Sequence, residues 1–232
     1  MSLRFIYGRA GSGKTHFCLS EIERIVSGSD GRALLLVPED FSFQAEKDLL
    51  DAVGDKGLLQ ARVLSFKRMA YSVFSEVGGL TRRHMNGAGK CMLVYRIMDK
   101  CKGELKVFKR AVKMRGFVDT MSDTITELKE YGISPEDLMG ASLVIDDDGL
   151  KDKACDILRI YSAFESALHQ NYIDSDDDLI LLSQSLDRSR MFDGAEVFVD
   201  GFSLLTPQQR RVIEGVARKA KRVNVTLCMD AA

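Results

Sequence analysis

Gly8-Arg9-Ala10-Gly11-Ser12-Gly13-Lys14-Thr15 is the stretch that decides the fold. It matches G-x-x-x-x-G-K-[ST] at every fixed position. The spacing has a physical reason. Glycines let the backbone fold so tightly that successive N–H groups face one anion. A helix starting directly afterwards adds the partial positive charge of its N-terminus. In such a loop Lys14 reaches the β- and γ-phosphates of ATP, and the Thr15 hydroxyl holds Mg²⁺. All eight residues are therefore candidate nucleotide contacts.

The surroundings suit that reading. Leu3-Arg4-Phe5-Ile6-Tyr7 reads as a strand before the loop, and Phe17, Leu19, Ile22 and Ile25 recur at helical spacing after it. Ala33-Leu34-Leu35-Leu36-Val37 is a continuous apolar run, as a strand covered on both faces should be. Arg62-Val63-Leu64, Glu196-Val197-Phe198-Val199-Asp200 and Arg222-Val223-Asn224-Val225-Thr226-Leu227 read as further strands. Thr206-Pro207-Gln208-Gln209 opens a helix with capping-box chemistry. Between these ends the pattern is helical: Phe117, Met121, Ile125 and Leu128 share a face, and Ser134-Pro135 starts another helix after Gly132. The predicted fold is α/β: a parallel P-loop NTPase sheet built from residues 1–74 and 191–232, with a large all-helical insertion at 75–190.

A phosphate loop needs a second magnesium ligand, a carboxylate at the end of a neighbouring strand. Asp200 fits, so Thr15 and Asp200 are the predicted Mg²⁺ residues. Position 201 is glycine, which cannot act as a base or position water. ATP binding is thus better supported than hydrolysis.

Composition narrows the classes further. With 33 Lys+Arg against 34 Asp+Glu, the net charge of −1 gives no global argument for nucleic acid or acidic membranes. No apolar run reaches the roughly 18–20 residues of a membrane span, and the N-terminus lacks a signal-peptide plan. Five cysteines without C-x-x-C spacing read as reduced cytosolic thiols, which predicts a cytoplasmic protein. The three histidines, His16, His84 and His169, form no zinc-type cluster. Lys106, Lys109, Arg110 and Lys113 would line one face of a helix and are candidate DNA-phosphate contacts, against the alternative of a solvated face. Arg218, Lys219, Lys221 and Arg222 sit at a predicted helix end, where the dipole alone favours cations. Asp146-Asp147-Asp148, and Asp174 with Asp176-Asp177-Asp178, lack calcium-loop spacing. Helix-start chemistry explains the second set, with Ser175 as its cap.

Together with the loop, VPEDFSFQAEKDLL (37–50), VLSFKRMAYSVF (63–74), YIDSDDDLILL (172–182) and VFVDGFSLLTPQQRRVI (197–213) resemble the N-terminal part of the AddB/RexB family. That family supplies the B subunit of a bacterial ATP-dependent helicase–nuclease acting on double-strand DNA ends. The resemblance implies a superfamily-1 helicase-like lobe, ATP and Mg²⁺ as cofactors, DNA as substrate and a heterodimer with the A subunit of the helicase–nuclease. It places Val37–Gln44 beside single-stranded DNA, making Gln44 a candidate contact. Asp200-Gly201-Phe202-Ser203 stands where helicases have D-E-F-Q, so Gly201 and Ser203 depart from the motor pattern. Met229-Asp230 falls where helicase motif III would begin, and the second lobe, nuclease domain and iron–sulfur cysteines have no counterpart. The implied role is DNA scanning rather than driving. The alternatives are an independent P-loop ATPase or nucleotide kinase, and a scaffold with a relic loop.

Overall fold

The computed structural model describes residues 2–28, 31–57, 59–78, 83–114, 116–174 and 178–229. The chain divides into two compact units, Met1–Leu80 with Leu179–Ala232, and Thr81–Asp178. In chain order the elements are β1 (Leu3–Gly8), α1 (Lys14–Val26), β2 (Ala33–Leu36), α2 (Ser42–Gly57), β3 (Ala61–Leu64) and α3 (Phe66–Val77). There follow β4 (Arg83–Met85), α4 (Gly87–Cys101), α5 (Phe117–Glu130), α6 (Pro135–Leu143), α7 (Asp148–Asn171) and β5 (Tyr172–Asp174). The chain closes with α8 (Asp178–Ser185), β6 (Glu196–Val199), α9 (Pro207–Lys219) and β7 (Arg222–Cys228).

In the first unit five parallel strands are ordered β1-β7-β6-β2-β3. All four residues of β2 and of β6 are buried, because helices cover both faces of a parallel sheet. Alternation along the strands divides the core in two. Ala33, Leu35 and Phe198 face Cys18 and Ile22 of α1. Leu34, Leu36, Val197 and Val199 pack with Val212 and Val216 of α9. β1 is an edge strand, and its alternate residues Leu3, Phe5 and Tyr7 are exposed. Helix α9 starts where sequence chemistry requires it: Thr206 and Gln209 form a reciprocal capping box with Pro207 at the first turn. Lys219, at the other end of α9, donates to the carbonyls of Leu186, Asp187 and Ser189. Lys221 pairs with Glu196, so both of these cations of the second basic cluster have partners within the first unit.

The second unit packs α4, α5 and α7 around Met98, Ile125, Ile160 and Phe164. Gly132, with φ 70°, stops α5, and Ser134 with Asp137 caps α6. This unit is not all-helical as expected: β4 and β5 form a two-stranded parallel sheet. Each strand has three residues, too few for alternation to register in a sequence pattern.

A second correction concerns Lys106, Lys109, Arg110 and Lys113. They do not line a helix, because α4 ends at Cys101 and turns follow, with a single 3-10 turn at Ala111–Lys113. The buried Asp156 of α7 accepts the backbone N–H groups of Lys106, Val107 and Phe108 at 3.0, 2.8 and 3.0 Å. A carboxylate that gathers consecutive N–H groups holds the backbone in a concave turn, not an α-helix.

Candidate functional site around the glycine loop

Strand order brings the site together. β1 and β6 flank β7 and run in the same direction, so the segments after β1 and β6 leave the same carboxyl edge of the sheet. The segment after β1 is the glycine loop, and the segment after β6 begins with Asp200.

The loop's shape follows from its glycines. Gly11 and Gly13 have φ of 75° and 84°, in the left-handed region that side chains disfavour. Gly8 differs: a Cβ there would lie 2.6 Å from Ser12 Oγ, so the Ser12 hydroxyl would have to turn away. Helix α1 starts with Gly13 as its cap, with no capping side chain and no acid in the first turn. Its dipole is thus uncompensated, and its first N–H groups suit an anion. Lys14 Nζ donates to the carbonyls of Gly8 and Arg9, both at 2.8 Å. The ammonium is therefore held directly over the loop.

Thr15 Oγ1 donates to Asp200 Oδ2 at 2.7 Å. Thr226 Oγ1, from β7, donates to Asp200 Oδ1 at 2.6 Å. The Asp200 N–H bonds to Leu36 O at 2.9 Å. Asp200 is buried, at 5% exposure, so its carboxylate depends on these two hydroxyls. Cys18 sits one turn beyond Thr15 in α1 and is fully buried. Burial, and next the negative charge of Asp200, push its thiol up to about 12. It is a core thiol, not a nucleophile.

Among the described residues no three His, Cys, Asp or Glu side chains converge as a metal cluster. Thr15 and Asp200 alone would suit a hard cation that takes its other oxygens from phosphates and water, as Mg²⁺ does. Asp147 caps the start of α7 by accepting the Leu150 N–H at 2.6 Å. Residues 175–177 and Asp230 lie outside the described residues, as do the side chains of His84, His169 and Asp174.

The predicted nucleic-acid residues fall in both units. Gln44 is exposed on α2 in the first unit, and its Nε2 donates to Asp48 Oδ1 at 2.6 Å. Phe41 and Phe43 stand exposed beside it, at 59% and 78%. Lys106 pairs with Asp152 at 2.6 Å, while Lys109, Arg110 and Lys113 are exposed in the second unit. Sequence reasoning missed Thr226. Its signal was present: Asn224 and Thr226 are two polar residues in Val223–Thr226, the buried stretch of β7.

Fold and site define an α/β protein with an all-parallel five-stranded sheet and a glycine-rich loop joined to a strand-end aspartate. The chain belongs to the AddB family: the family model described as "ADDB, N-terminal" matches residues 5–232. It is 52% identical over 231 residues to the B subunit of the ATP-dependent helicase/deoxyribonuclease from Clostridium botulinum (strain Loch Maree / Type A3). It is 51% identical over 231 residues to the protein of that name from Clostridium novyi (strain NT). The Acetivibrio thermocellus protein of the same name is 49% identical over 232 residues. Each match covers 99% of this chain and 20% of the relative. The chain thus spans about a fifth of the length of the curated relatives it matches. Among the described residues no helix is long and apolar enough to cross a membrane.

Proposed function

We propose that this chain is the ATP-binding N-terminal lobe of a helicase–nuclease B subunit that processes double-strand DNA ends for recombinational repair. The observation that carries the reading is the Thr15–Asp200 hydrogen bond, which joins a complete phosphate-loop motif to the acid that such sites use for magnesium. The relatives' names, as B subunits of an ATP-dependent helicase/deoxyribonuclease, support it. Gly8–Thr15 cradle the phosphates, Lys14 moves from its two carbonyls to phosphate oxygens, and Thr15 with Asp200 holds Mg²⁺. Bound Mg²⁺ would neutralise phosphate charge. In this reading the fold is that of a P-loop NTPase. Residues 1–74 and 191–232 form a lobe 1A-like domain, and residues 75–190 a lobe 1B-like insertion. Gln44 in the first unit and, separately, Lys106, Lys109, Arg110 and Lys113 in the second are the DNA contacts of this reading, and the A subunit completes a cytoplasmic heterodimer.

The role is scanning, with the nucleotide as a clamp more than a fuel. Gly201 follows Asp200 with φ 81°, a backbone state that a water-positioning glutamate would rarely adopt. The test is a titration with a fluorescent ATP analogue and Mg²⁺, alongside Lys14→Ala. Saturable binding that weakens at least about tenfold in the variant is expected, since Lys14 is the motif cation that reaches the β- and γ-phosphates. Equal binding by both proteins, or by neither, overturns the proposal.

A further inference from the structure

We propose that Thr226 is a positioning residue for the magnesium carboxylate, holding Asp200 in place whether the loop is empty or filled. The inference rests on the ATP·Mg²⁺ reading of Gly8–Thr15 and adds to it a residue outside the motif.

The geometry makes the argument. Both Asp200 oxygens accept one hydroxyl proton each, Oδ2 from Thr15 at 2.7 Å and Oδ1 from Thr226 at 2.6 Å. The two donors are not equivalent. Thr15 stands on the loop side, at the start of α1, and is solvent-exposed. Its hydroxyl is the group that a cation would engage, so its bond to Asp200 is rearranged or shared when the site fills. Thr226 lies inside β7, at 6% exposure, hydrogen-bonded into the sheet between β1 and β6. Its hydroxyl donates to Asp200 from within the buried part of the sheet. A carboxylate held at one oxygen can still swing about its Cβ–Cγ bond. Held at both, it presents fixed lone pairs to a cation. Partners one bond removed from a metal ligand typically change metal affinity by about 10–100-fold when removed.

The test compares nucleotide affinity with and without the metal. The dissociation constant of a fluorescent ATP analogue is measured in EDTA and in excess Mg²⁺ for wild type, Thr226→Val, Thr226→Ser and Lys14→Ala. The ratio of the two constants is the magnesium gain. Val matches the shape of Thr and suits a strand, so Thr226→Val removes the hydroxyl with little change in packing. The expected result is a magnesium gain reduced about tenfold in Thr226→Val, with affinity in EDTA unchanged and the gain recovered in Thr226→Ser. A purely structural role would instead weaken both constants together and leave their ratio unchanged. If Thr226→Val does not fold, Thr226→Ala repeats the measurement. A wild-type gain that survives in the hydroxyl-free variant overturns the inference and leaves the phosphate site standing, as does nucleotide binding with no magnesium gain. Loss of Lys14-dependent binding in wild type itself overturns both.

Discussion

Gly201 offers the sharpest test of how local backbone geometry limits chemistry at this site. Its φ is 81°. A Cβ added there would lie 3.4 Å from Pro38 Cδ and 3.9 Å from Pro38 Cγ, which is ordinary contact. Space is therefore available, and the penalty for a side chain is backbone strain alone. That strain is about 1–2 kcal/mol for an L-residue in the left-handed region. In a chain of this size about 1 kcal/mol lowers the melting temperature by roughly 2–4 °C. Gly201→Ala should thus melt roughly 2–8 °C below wild type, followed by circular dichroism because the chain has no Trp. Gly140, inside α6, is the control: its φ is not positive and its Cβ position is open. Gly140→Ala should gain about 0.5–1 kcal/mol, the opposite sign. Gly201→Glu inherits the same strain, so a phosphate-release assay should show no turnover above the Lys14→Ala background. A Gly201→Ala protein as stable as wild type would refute the strain argument. Turnover by Gly201→Glu would refute the conclusion that this position cannot host a water-positioning carboxylate.

Two further outcomes follow from hydrogen-bond arithmetic. Asp156→Ala leaves three backbone N–H groups without their acceptor. At about 1–3 kcal/mol for a buried orphan group, and less where Lys106 and Val107 reach solvent, a loss of about 3 kcal/mol in urea unfolding is expected; a loss below about 1 kcal/mol would show that the turn does not depend on the carboxylate. Glu76 is held below its ordinary 4.5, first by the Ser189 hydroxyl and then by the Arg190 backbone N–H. A carboxylate with a depressed folded value stabilises above its unfolded value, and that contribution disappears as pH falls through the folded one. The melting temperature should therefore fall more steeply with acid in wild type than in Glu76→Gln, and parallel curves would count against the tie.

Much of the first unit was legible because its signals are local. The loop carries its own glycine pattern, β2 reads as a strand covered on both faces, and the Thr206/Gln209 box marks the start of α9 within four residues. The turn at Lys106 was not legible, because the carboxylate that shapes it is Asp156, 50 residues from Lys106. The spacing of those cations fits a helix perfectly well in isolation; a distant acceptor overrides it. β4 and β5 escaped for a related reason, since three-residue strands exist only through each other.

The company Asp200 keeps shows the same limit from the side of function. Thr15 and Asp200 stand 185 residues apart, and pairing them from sequence needs only the rule that a strand-end acid serves the loop. Thr226 obeys no such rule. It meets Asp200 because β7 lies between β1 and β6, and because the register sets Val225 beside Val199. The next residues on the two strands are Thr226 and Asp200, and parallel strands about 4.8 Å apart bring a hydroxyl and a carboxylate within hydrogen-bond reach. A strand inserted between loop and acid must present some residue at that level. An apolar one would leave a buried oxygen of Asp200 unpaired, at about 1–3 kcal/mol. A threonine satisfies it while keeping the β-branched shape that the strand favours. The buried threonine of β7 is thus explained by strand order, which a linear sequence does not display.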